Sequence, residues 1–514
     1  MMLDSILVFD FGGQYCHLIA RRVRESNVYS EIVSGEISKQ ELNGIRSRLN
    51  VKGIILSGGP SSIYEKGAPR LDRGVIESGI PILGICYGHQ LLASSMSGRV
   101  VPAKKTEYGI AQANVNSRSD LFKGSRGKEQ VWMSHGDTVI KAPKSAKILA
   151  STPNCPVAAF GDVKGKVYGV QWHPEVMHTP NGGLILNNFI FGICHVKRDW
   201  NVTNDLGRYV NEITERIGNN KAIIALSGGI DSTTAGAIAA KAMGKNLTAV
   251  FVDHGFMREG ESDQISAIAK KLGMRFIRVE AKSRFMGHLK GVSDPEQKRK
   301  IIGREFIRVF EEEARKSGAD YLIQGTIYPD RIESGHSKRS KVIKTHHNVG
   351  GLPADIKFKG VVEPLRDLYK DEVRAVAAKL GLPKAMIRRQ PFPGPGLAVR
   401  IISDIDEKKL DIVRKADHIV TEELERSEMK ELPWQYFAVL TDTMSTGVKG
   451  DSRSYGSVIA IRAIGSKDAM TASFSKIPYD VLERISTRIT NEISDVVRVV
   501  YDVTNKPPST IEWE

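Results

Sequence analysis

Short apolar segments alternate with amphipathic segments along the first 195 or so residues. The apolar segments include SILVFDF at 5–11, GIILSGG at 53–59, PILGICYG at 81–88 and KVYGVQWH at 166–173. Runs of this length are typical of buried strands, whereas QYCHLIARRVRE at 14–25 has the period of an amphipathic helix. The alternation predicts an α/β domain whose strands are mainly buried.

A second series of strands and helices begins after residue 196. Segment 196–218 has little strand character and ends in a helical pattern closed by Gly218, so we expect a linker and an entry helix there. Two strands, KAIIALSGG and NLTAVFVDHG, alternate with helices expected from Asp231 to about Met243, near 260–272 and near 295–317. This alternation of strands and helices predicts a second parallel-sheet domain of the doubly wound type.

The alternation of strands and helices stops between residues 328 and 358, where the chain is rich in His, Lys, Gly and Ser. Loops of this length are unusual unless they have a function, so the segment is a candidate lid, with a plain surface insertion as the alternative. After about residue 391, long helical patterns alternate with strands such as QYFAVL and SVIAIRAI, which predicts an α+β domain. We therefore expect three domains, at 1–195, 196–390 and 391–514.

The amino-acid composition of the chain limits the classes of protein to which it can belong. The chain has 514 residues, 41% of them hydrophobic, and a net charge of +15, which fits about three globular domains. No apolar run reaches the about 18–20 residues that span a bilayer, and no basic region precedes the first apolar segment, so we expect neither a membrane nor a secreted protein. The four cysteines form no CxxC pair, which argues against a disulfide framework or a structural zinc site and favours the cytoplasm.

The first chemical pattern is an apolar strand that runs directly into Cys86. Glycines flank the cysteine at positions 84 and 88, and the helical segment HQLLASSM follows. A nucleophile at such a strand-to-helix turn protrudes from the backbone, has N–H groups close by for an oxyanion, and lies at a helix N-terminus that favours the thiolate. The pattern makes Cys86 a candidate nucleophile, although a lone cysteine is more often structural.

Another strand ends at His173, which could serve as the base that a thiol requires, and Glu175 follows two residues later. The glycines of LSGGPSS, Gly58 and Gly59, offer further N–H donors after a third strand. In this order the motifs resemble the class I glutamine amidotransferases, which carry G-x-C-x-G-x-Q and H-P-E. The resemblance implies the following roles: Cys86 as nucleophile, His173 as base and acid, Glu175 as its orienting partner, and Gly58 with the N–H of Tyr87 as oxyanion hole. Cys16, Cys155 and Cys194 are then expected to be structural.

The second chemical pattern, LSGGIDST at 226–233, ends a strand and opens a helix. Gly228 and Gly229 let the backbone approach a phosphate, and the helix N-terminus supplies N–H donors. Asp231 would repel that phosphate unless a divalent cation bridged the two, so the pattern implies Mg²⁺. Neither GxxxxGK[ST] nor GxGxxG is present, which excludes a Walker loop and a dinucleotide fingerprint.

SGGxDS after a strand resembles the PP-loop of the N-type ATP pyrophosphatases, which implies ATP as co-substrate, cleavage between its α- and β-phosphates, and an adenylated substrate. The resemblance implies an ATP site that also includes parts of later strand ends, where ligands gather in such sheets. Its residues are Ser227, Gly228, Gly229, Ile230, Asp231, Ser232, Thr233, Val252 and Gly325, with Asp231 also the ligand of Mg²⁺.

Four further segments extend the resemblance to essentially the whole chain. They are SDPEQKRKIIG at 293–303, IKTHHNVGGLP at 343–353, RQPFPGPGLAVR at 389–400 and NKPPSTIEWE at 505–514. These segments are similar to those of the glutamine-hydrolysing GMP synthetase family. The resemblance implies that ATP, xanthosine 5′-monophosphate (XMP), glutamine and water give GMP, AMP, pyrophosphate and glutamate through adenyl-XMP, with ammonia passed from the glutaminase to the synthetase site.

The same resemblance assigns further residues and a partner. XMP would be bound by Arg299, Arg389, Gln435, Lys506, Thr510 and Glu512, and the lid over ATP would contain Lys344, His346 and His347. The family uses its third domain for dimerisation, so a homodimer is expected. The terminal segment 505–514 has an alternative interpretation, as an edge strand that only stabilises the last domain.

Two other functions remain open. Another PP-loop amidotransferase ligase, of the NAD synthetase or asparagine synthetase type, would share the loop; the first usually has a nitrilase-like glutaminase and the second an N-terminal cysteine, where this chain has Met2. The net charge would also fit a basic nucleic-acid-binding protein, but we find neither Lys/Arg stripes with aromatics nor a zinc knuckle. We therefore expect small-molecule substrates, and no nucleic acid or membrane partner.

Overall fold

The computed structural model describes residues 2–330, 358–449, 451–466 and 471–514. The chain forms two compact units, Met1–Asn201 and Val202–Glu514. The division lies close to the first domain boundary expected from the sequence, whereas the second expected boundary, at residue 390, falls within the second unit. The predicted lid residues Lys344, His346 and His347 lie outside the described residues.

A nine-stranded sheet forms the centre of the first unit within its described residues, with strand order β2-β1-β3-β4-β9-β8-β7-β5-β6. Its strands are β1 (Asp4–Asp10), β2 (Tyr29–Ser34), β3 (Asn50–Leu56), β4 (Ile82–Ile85), β5 (Arg99–Val115), β6 (Lys128–Lys141), β7 (Lys147–Ser151), β8 (Ala159–Asp162) and β9 (Val167–Val170). The main helices are α1 (Cys16–Glu25), α2 (Lys39–Arg46), α3 (Arg73–Ile76), α4 (Tyr87–Ser95) and α5 (Gly182–Asn187).

The pairing divides this sheet into two parts. Strands β2, β1, β3, β4 and β9 are parallel, and buried side chains such as Leu7, Ile54 and Leu92 pack around them, as the apolar pattern predicts. The remaining strands are antiparallel and include the long β5–β6 hairpin. The carboxyl ends of β4 and β9 lie side by side, which brings the segments that follow them together.

The second unit begins with α6 (Leu206–Ile217) and a parallel sheet that, in the described residues, has the order β12-β11-β10-β13-β14. The elements are β10 (Ala222–Ala225), α7 (Ile230–Met243), β11 (Leu247–Asp253), α8 (Glu261–Lys271), β12 (Arg275–Glu280), α9 (Lys282–Leu289), α10 (Pro295–Ser317), β13 (Tyr321–Ile323), β14 (Gly360–Val362), α11 (Lys370–Lys379) and α12 (Lys384–Ile387). The chain leaves β10 in one direction and returns to β13 on its other side. The sheet is therefore doubly wound, as predicted, and its switch point lies at the end of β10, where such sheets bind ligands.

The rest of the second unit is an α+β arrangement, also as predicted. It contains α13 (Glu407–Glu425), β15 (Gln435–Lys449), β16 (Ser452–Gly465), β17 (Ser473–Phe474), α14 (Tyr479–Glu492) and β18 (Val496–Asp502). Buried Ile223 of the parallel sheet, Phe310 of α10 and Ile461 of β16 belong to one apolar cluster, so both sheets of this unit share a core. Among the described residues, no helix combines the length and apolar character needed to cross a bilayer.

Candidate functional site

Cys86 lies in the turn between β4 and α4, and its backbone is strained. Its φ of 53° and ψ of −104° lie in a region that residues other than glycine rarely occupy. A hydrogen bond to β9 holds this turn in place, because the N–H of Cys86 donates to the carbonyl oxygen of Val170 at 2.9 Å. A strained nucleophile at a strand-to-helix turn is the arrangement that directs a reactive side chain away from the sheet.

The three residues predicted to form a triad lie together in the first unit. Nδ1 of His173 lies 2.7 Å from Oε1 of Glu175, and both side chains are buried. Burial by itself would lower the pKa of His173, but the charges of Glu175 and Cys86 and hydrogen bonds to both side chains raise this pKa well above its ordinary value. The imidazole thus links the thiol to the carboxylate.

Gly58 approaches the triad closely. A Cβ added at Gly58 would lie 3.0 Å from Cε1 of His173, which is a tight contact, and 3.6 Å from Cβ of Cys86, which is an ordinary one. Tyr87 is the first residue of α4, and the first turn of a helix leaves N–H groups without intrahelical partners. Gly58 and Tyr87 therefore both lie close to Cys86.

Backbone groups of β6 that the sequence did not single out lie beside Cys86 and Gln90, the last residue of the G-x-C-x-G-x-Q motif. The carbonyl oxygen of Ser134, on β6, lies 3.5 Å from Sγ of Cys86. Gln90 of α4 donates from Nε2 to the carbonyl oxygen of Asp137 at 3.0 Å and lies 3.3 Å from Oε1 of Gln171. The long hairpin had no apolar signature, so its proximity to Cys86 could not be inferred.

The predicted phosphate loop connects β10 to α7 and is ordered by its own hydroxyl groups. The Oγ atoms of Ser227 and Ser232 are 3.1 Å apart, and the hydroxyl of Thr233 donates to the carbonyl oxygen of Gly229 at 2.9 Å. Gly228 has a φ of 78°, which favours glycine. The loop therefore presents the N-terminus of a 14-residue helix at the end of β10.

Of the residues expected from later strands, Gly325 lies against this loop. A Cβ at Gly325, after β13, would lie 2.8 Å from the backbone nitrogen of Ser232, so only glycine permits this close approach. Val252 is buried within β11. Asp253 at the end of that strand is paired with Arg278 at 2.7 Å.

Asp231 is the acidic residue of the loop, and its two oxygens differ. Oδ2 pairs with Nζ of Lys370, the first residue of α11, whereas Oδ1 is buried and has no hydrogen-bond partner among the described residues. No group of three or more His, Cys, Asp or Glu side chains within the described ranges is arranged to hold a metal ion. Asp231 can thus supply one oxygen ligand to Mg²⁺, an ion that commonly takes one or two carboxylates and completes its shell with phosphates and water.

The residues predicted to bind XMP are placed in three groups. Arg389 lies at the phosphate loop, where Nη1 donates to the carbonyl oxygen of Gly228 at 2.9 Å and Nη2 pairs with Glu261. Gln435 donates from Nε2 to Oε1 of Glu512 at 2.7 Å, so these two side chains are in direct contact. The third group comprises Arg299, Lys506 and Thr510.

The members of the third group all contact the C-terminal segment or belong to it. Arg299 donates to the carbonyl oxygen of Glu514, and the hydroxyl of Thr510 donates to the carbonyl oxygen of Glu512. The backbone of Lys506 forms an isolated antiparallel bridge with Ala472. The segment is therefore mostly turns held by side chains rather than the edge strand considered as its alternative.

Arg400 holds this segment from within the core, and no role was expected for it, although it is the last residue of the segment 389–400. The fully buried guanidinium donates to both carboxylate oxygens of Glu512 at 3.2 Å and to Oδ1 of Asp417 at 3.0 Å. It lies 4.1 Å from the ring centre of Phe437. Burial by itself would lower the pKa of Arg400, but Glu512 and Asp417 raise it and keep the guanidinium charged.

Comparison with known proteins covers the whole chain. The family model of class-I glutamine amidotransferases matches residues 7–193, that of NAD synthase residues 202–304, and that of the GMP synthase C-terminal domain residues 422–513. GMP synthase [glutamine-hydrolyzing] of Clostridium botulinum (strain Kyoto / Type A2) is 53% identical and that of Clostridium tetani (strain Massachusetts / E88) 52%, each with 100% of both chains covered. A solved glutamine amidotransferase from Thermotoga maritima is 18% identical over 38% of this chain and 99% of its own, with a TM-score of 0.30.

Proposed function

The chain belongs to the glutamine-hydrolysing GMP synthase family, and we propose that its first unit releases ammonia from glutamine while its second unit activates and aminates XMP. The chain is a carbon–nitrogen ligase that uses glutamine to convert XMP to GMP, with ATP as co-substrate. Within it we assign residues 1–195 to the glutaminase, 196–390 to the ATP pyrophosphatase and 391–514 to the dimerisation and XMP-binding domain.

Glutamine hydrolysis follows from the geometry around Cys86. The thiolate attacks the amide carbon of glutamine, and the N–H groups of Gly58 and Tyr87 stabilise the oxyanion. Protonated His173 donates its proton to the leaving nitrogen, so ammonia departs and a thioester remains. Water, activated by the now neutral His173, then releases glutamate, while Glu175 keeps the imidazole oriented through the 2.7 Å hydrogen bond.

Activation of XMP follows from the loop at residues 226–233. The loop and the N-terminus of α7 bind the β- and γ-phosphates of ATP, and Lys370 offsets their charge. The carboxylate of Asp231 would hold Mg²⁺, which would supply positive charge against the phosphates of ATP. The O2 atom of XMP attacks the α-phosphorus, pyrophosphate leaves, and ammonia then displaces AMP from C2 of the purine.

For XMP itself we propose two contributions. Arg299, Arg389 and Lys506 are cations suited to a phosphate monoester. Glu512, Gln435 and Thr510 provide the acceptors and donors that a purine edge requires. The contact of Gln435 with Glu512 supports a common role for these two side chains.

We also propose a homodimer formed through the third domain. Its sheet and α14 carry exposed apolar side chains, among them Val448, Tyr455 and Tyr479, and large exposed apolar groups are typical of interfaces. The four cysteines are free and buried, which fits the reducing cytoplasm that we propose as the location.

The observation that carries the proposal is that the thiol triad and the phosphate loop belong to different compact units. We therefore expect Cys86→Ala to abolish GMP formation with glutamine but to preserve it with ammonium. Asp231→Ala should abolish GMP formation with both. The comparison uses purified enzyme with Mg²⁺, ATP and XMP. Each reaction receives either glutamine or ammonium and is assayed for GMP and AMP. Loss of the ammonium reaction in folded Cys86→Ala would contradict the division of labour, and glutamine hydrolysis without GMP in either assay would favour another PP-loop ligase.

A further inference from the structure

A buried ionisable pair lies beside the triad without belonging to it. Glu107 of β5 faces His135 of β6 in the antiparallel register, directly after a register shift that begins at Pro102. Oε2 of Glu107 lies 3.1 Å from Nε2 of His135, and the two side chains are 7% and 1% exposed. Removing charged groups from water is unfavourable unless their geometry and hydrogen bonding compensate, so this pair is a candidate for a specific role.

Each polar atom of the pair has a partner. Oε1 of Glu107 accepts from the hydroxyl of Thr152 at 3.0 Å and from Nδ2 of Asn154 at 3.2 Å. Nδ1 of His135 lies 2.9 Å from the carbonyl oxygen of Asp137. Both ring nitrogens therefore lie within hydrogen-bond distance of an oxygen atom. The imidazole connects Glu107 to the backbone of β6.

The backbone segment held in this way contacts two side chains of the thiol site. The carbonyl oxygen of Asp137 that faces His135 also accepts from Nε2 of Gln90. The carbonyl oxygen of Ser134, the neighbour of His135, lies 3.5 Å from Sγ of Cys86. A shift of His135 would therefore move the backbone that contacts Gln90 and Cys86.

We propose that Glu107 and His135 are positioning residues of the glutaminase, which hold residues 134–137 in the geometry that binds glutamine. The proposal rests on the proposed function, because it assigns the pocket at Cys86 to glutamine. Neither side chain touches the reacting atoms, and the hydrogen bond between His173 and Glu175 does not involve them. Their loss therefore weakens glutamine binding more than it slows the chemical step.

The test compares KM with kcat for glutamine in matched variants. Glu107→Gln removes the charge that orients His135, and we expect KM for glutamine to rise about tenfold, with a smaller change in kcat. Asn154→Ala removes only one donor at the exposed edge of the cluster, and a rise of about threefold is expected. Glu31→Gln is the control, since it breaks the ion pair with Arg48 in the same unit and should leave KM unchanged. GMP formation with ammonium should be unchanged in all three.

A purely structural role would reduce the melting temperature and the amount of active enzyme but would not change KM. An unchanged KM in folded Glu107→Gln overturns the proposal, as does an equal rise in Glu31→Gln. If Glu107→Gln does not fold, an unchanged KM in Asn154→Ala overturns it. A failure of the proposed function can be distinguished from a failure of this proposal. In that case the unmodified enzyme would make no GMP from ammonium and XMP, or Cys86→Ala would still hydrolyse glutamine.

Discussion

Nδ1 of His173 lies 2.7 Å from Oε1 of Glu175, which is only two residues further along the chain and accepts the hydrogen bond that orients the imidazole. Because the charge of Glu175 raises the pKa of His173, its removal in Glu175→Gln should lower that pKa. The limb of the glutaminase pH profile that reports His173 should then shift to lower pH, and kcat should fall by about 100-fold or more. Glutamate release measured between mildly acidic and alkaline pH checks both effects, and a limb that stays in place would contradict the assignment.

Lys370 should be required for use of ATP, although no motif marked it. Its ammonium group pairs with Asp231 at the phosphate loop. In Lys370→Met this charge is lost next to the triphosphate site, so we expect pyrophosphate release with XMP to fall by about tenfold or more. Lys359→Met provides the control, since it breaks another exposed Lys–Asp pair of the second unit, with Asp320. Glutaminase activity should persist in both, and equal pyrophosphate release from the two variants would refute the role of Lys370.

Arg400 should control the affinity for XMP through Glu512. Lysine keeps the charge but lacks the planar fork that holds Glu512 and Asp417 together, so Arg400→Lys should raise KM for XMP by about tenfold with little effect on glutamine hydrolysis. Arg484→Lys, at a half-exposed ion pair on α14, is the matched control. Steady-state kinetics with XMP as the varied substrate measures the effect. A rise confined to KM for ATP would indicate that Glu512 does not serve XMP.

Acid should destabilise the first unit through His89. This side chain is fully buried on α4, and burial lowers its pKa from 6.5 to about 3. The unfolded chain therefore binds a proton at a pH where the folded unit does not, so the contribution to stability is complete above about pH 6.5 and is lost as the pH falls towards 3. The free energy of unfolding should drop by about 2 kcal/mol between about pH 6.5 and about pH 5. Denaturant unfolding of the protein and of His89→Gln checks this, since the variant should show a smaller slope.

Much of the fold could be predicted because its elements have strong local signals. The helix expected near 295–317 is Pro295–Ser317, with Asp294 as N-cap and Gly318 after its end. The strands before Cys86 and the phosphate loop are apolar runs followed by glycine, and they occur as expected. The β5–β6 hairpin was not predicted, because sequences such as KKTEYGIAQANV alternate too weakly and carry too many charges.

The residues of the candidate sites also divide into those that local sequence patterns could predict and those that they could not. Cys86, His173, Glu175 and the phosphate loop follow strands, so sequence alone indicated that they lie at sheet edges. Arg400 and His135 contact residues distant in the chain, so sequence alone indicated a role for neither. Glu512 is brought to Arg400 by tertiary packing, and Glu107 is brought to His135 by the pairing of β5 with β6.

The backbone angle of Cys86 limits which nucleophiles this position can accept. At a φ of 53° a β-branched side chain crowds its own backbone, whereas an unbranched one fits with less strain. A hydroxyl could therefore replace the thiol as serine but not as threonine. In a library randomised at position 86 and selected for folded protein, glycine, alanine, serine and asparagine should be retained, and valine, isoleucine and threonine should be lost.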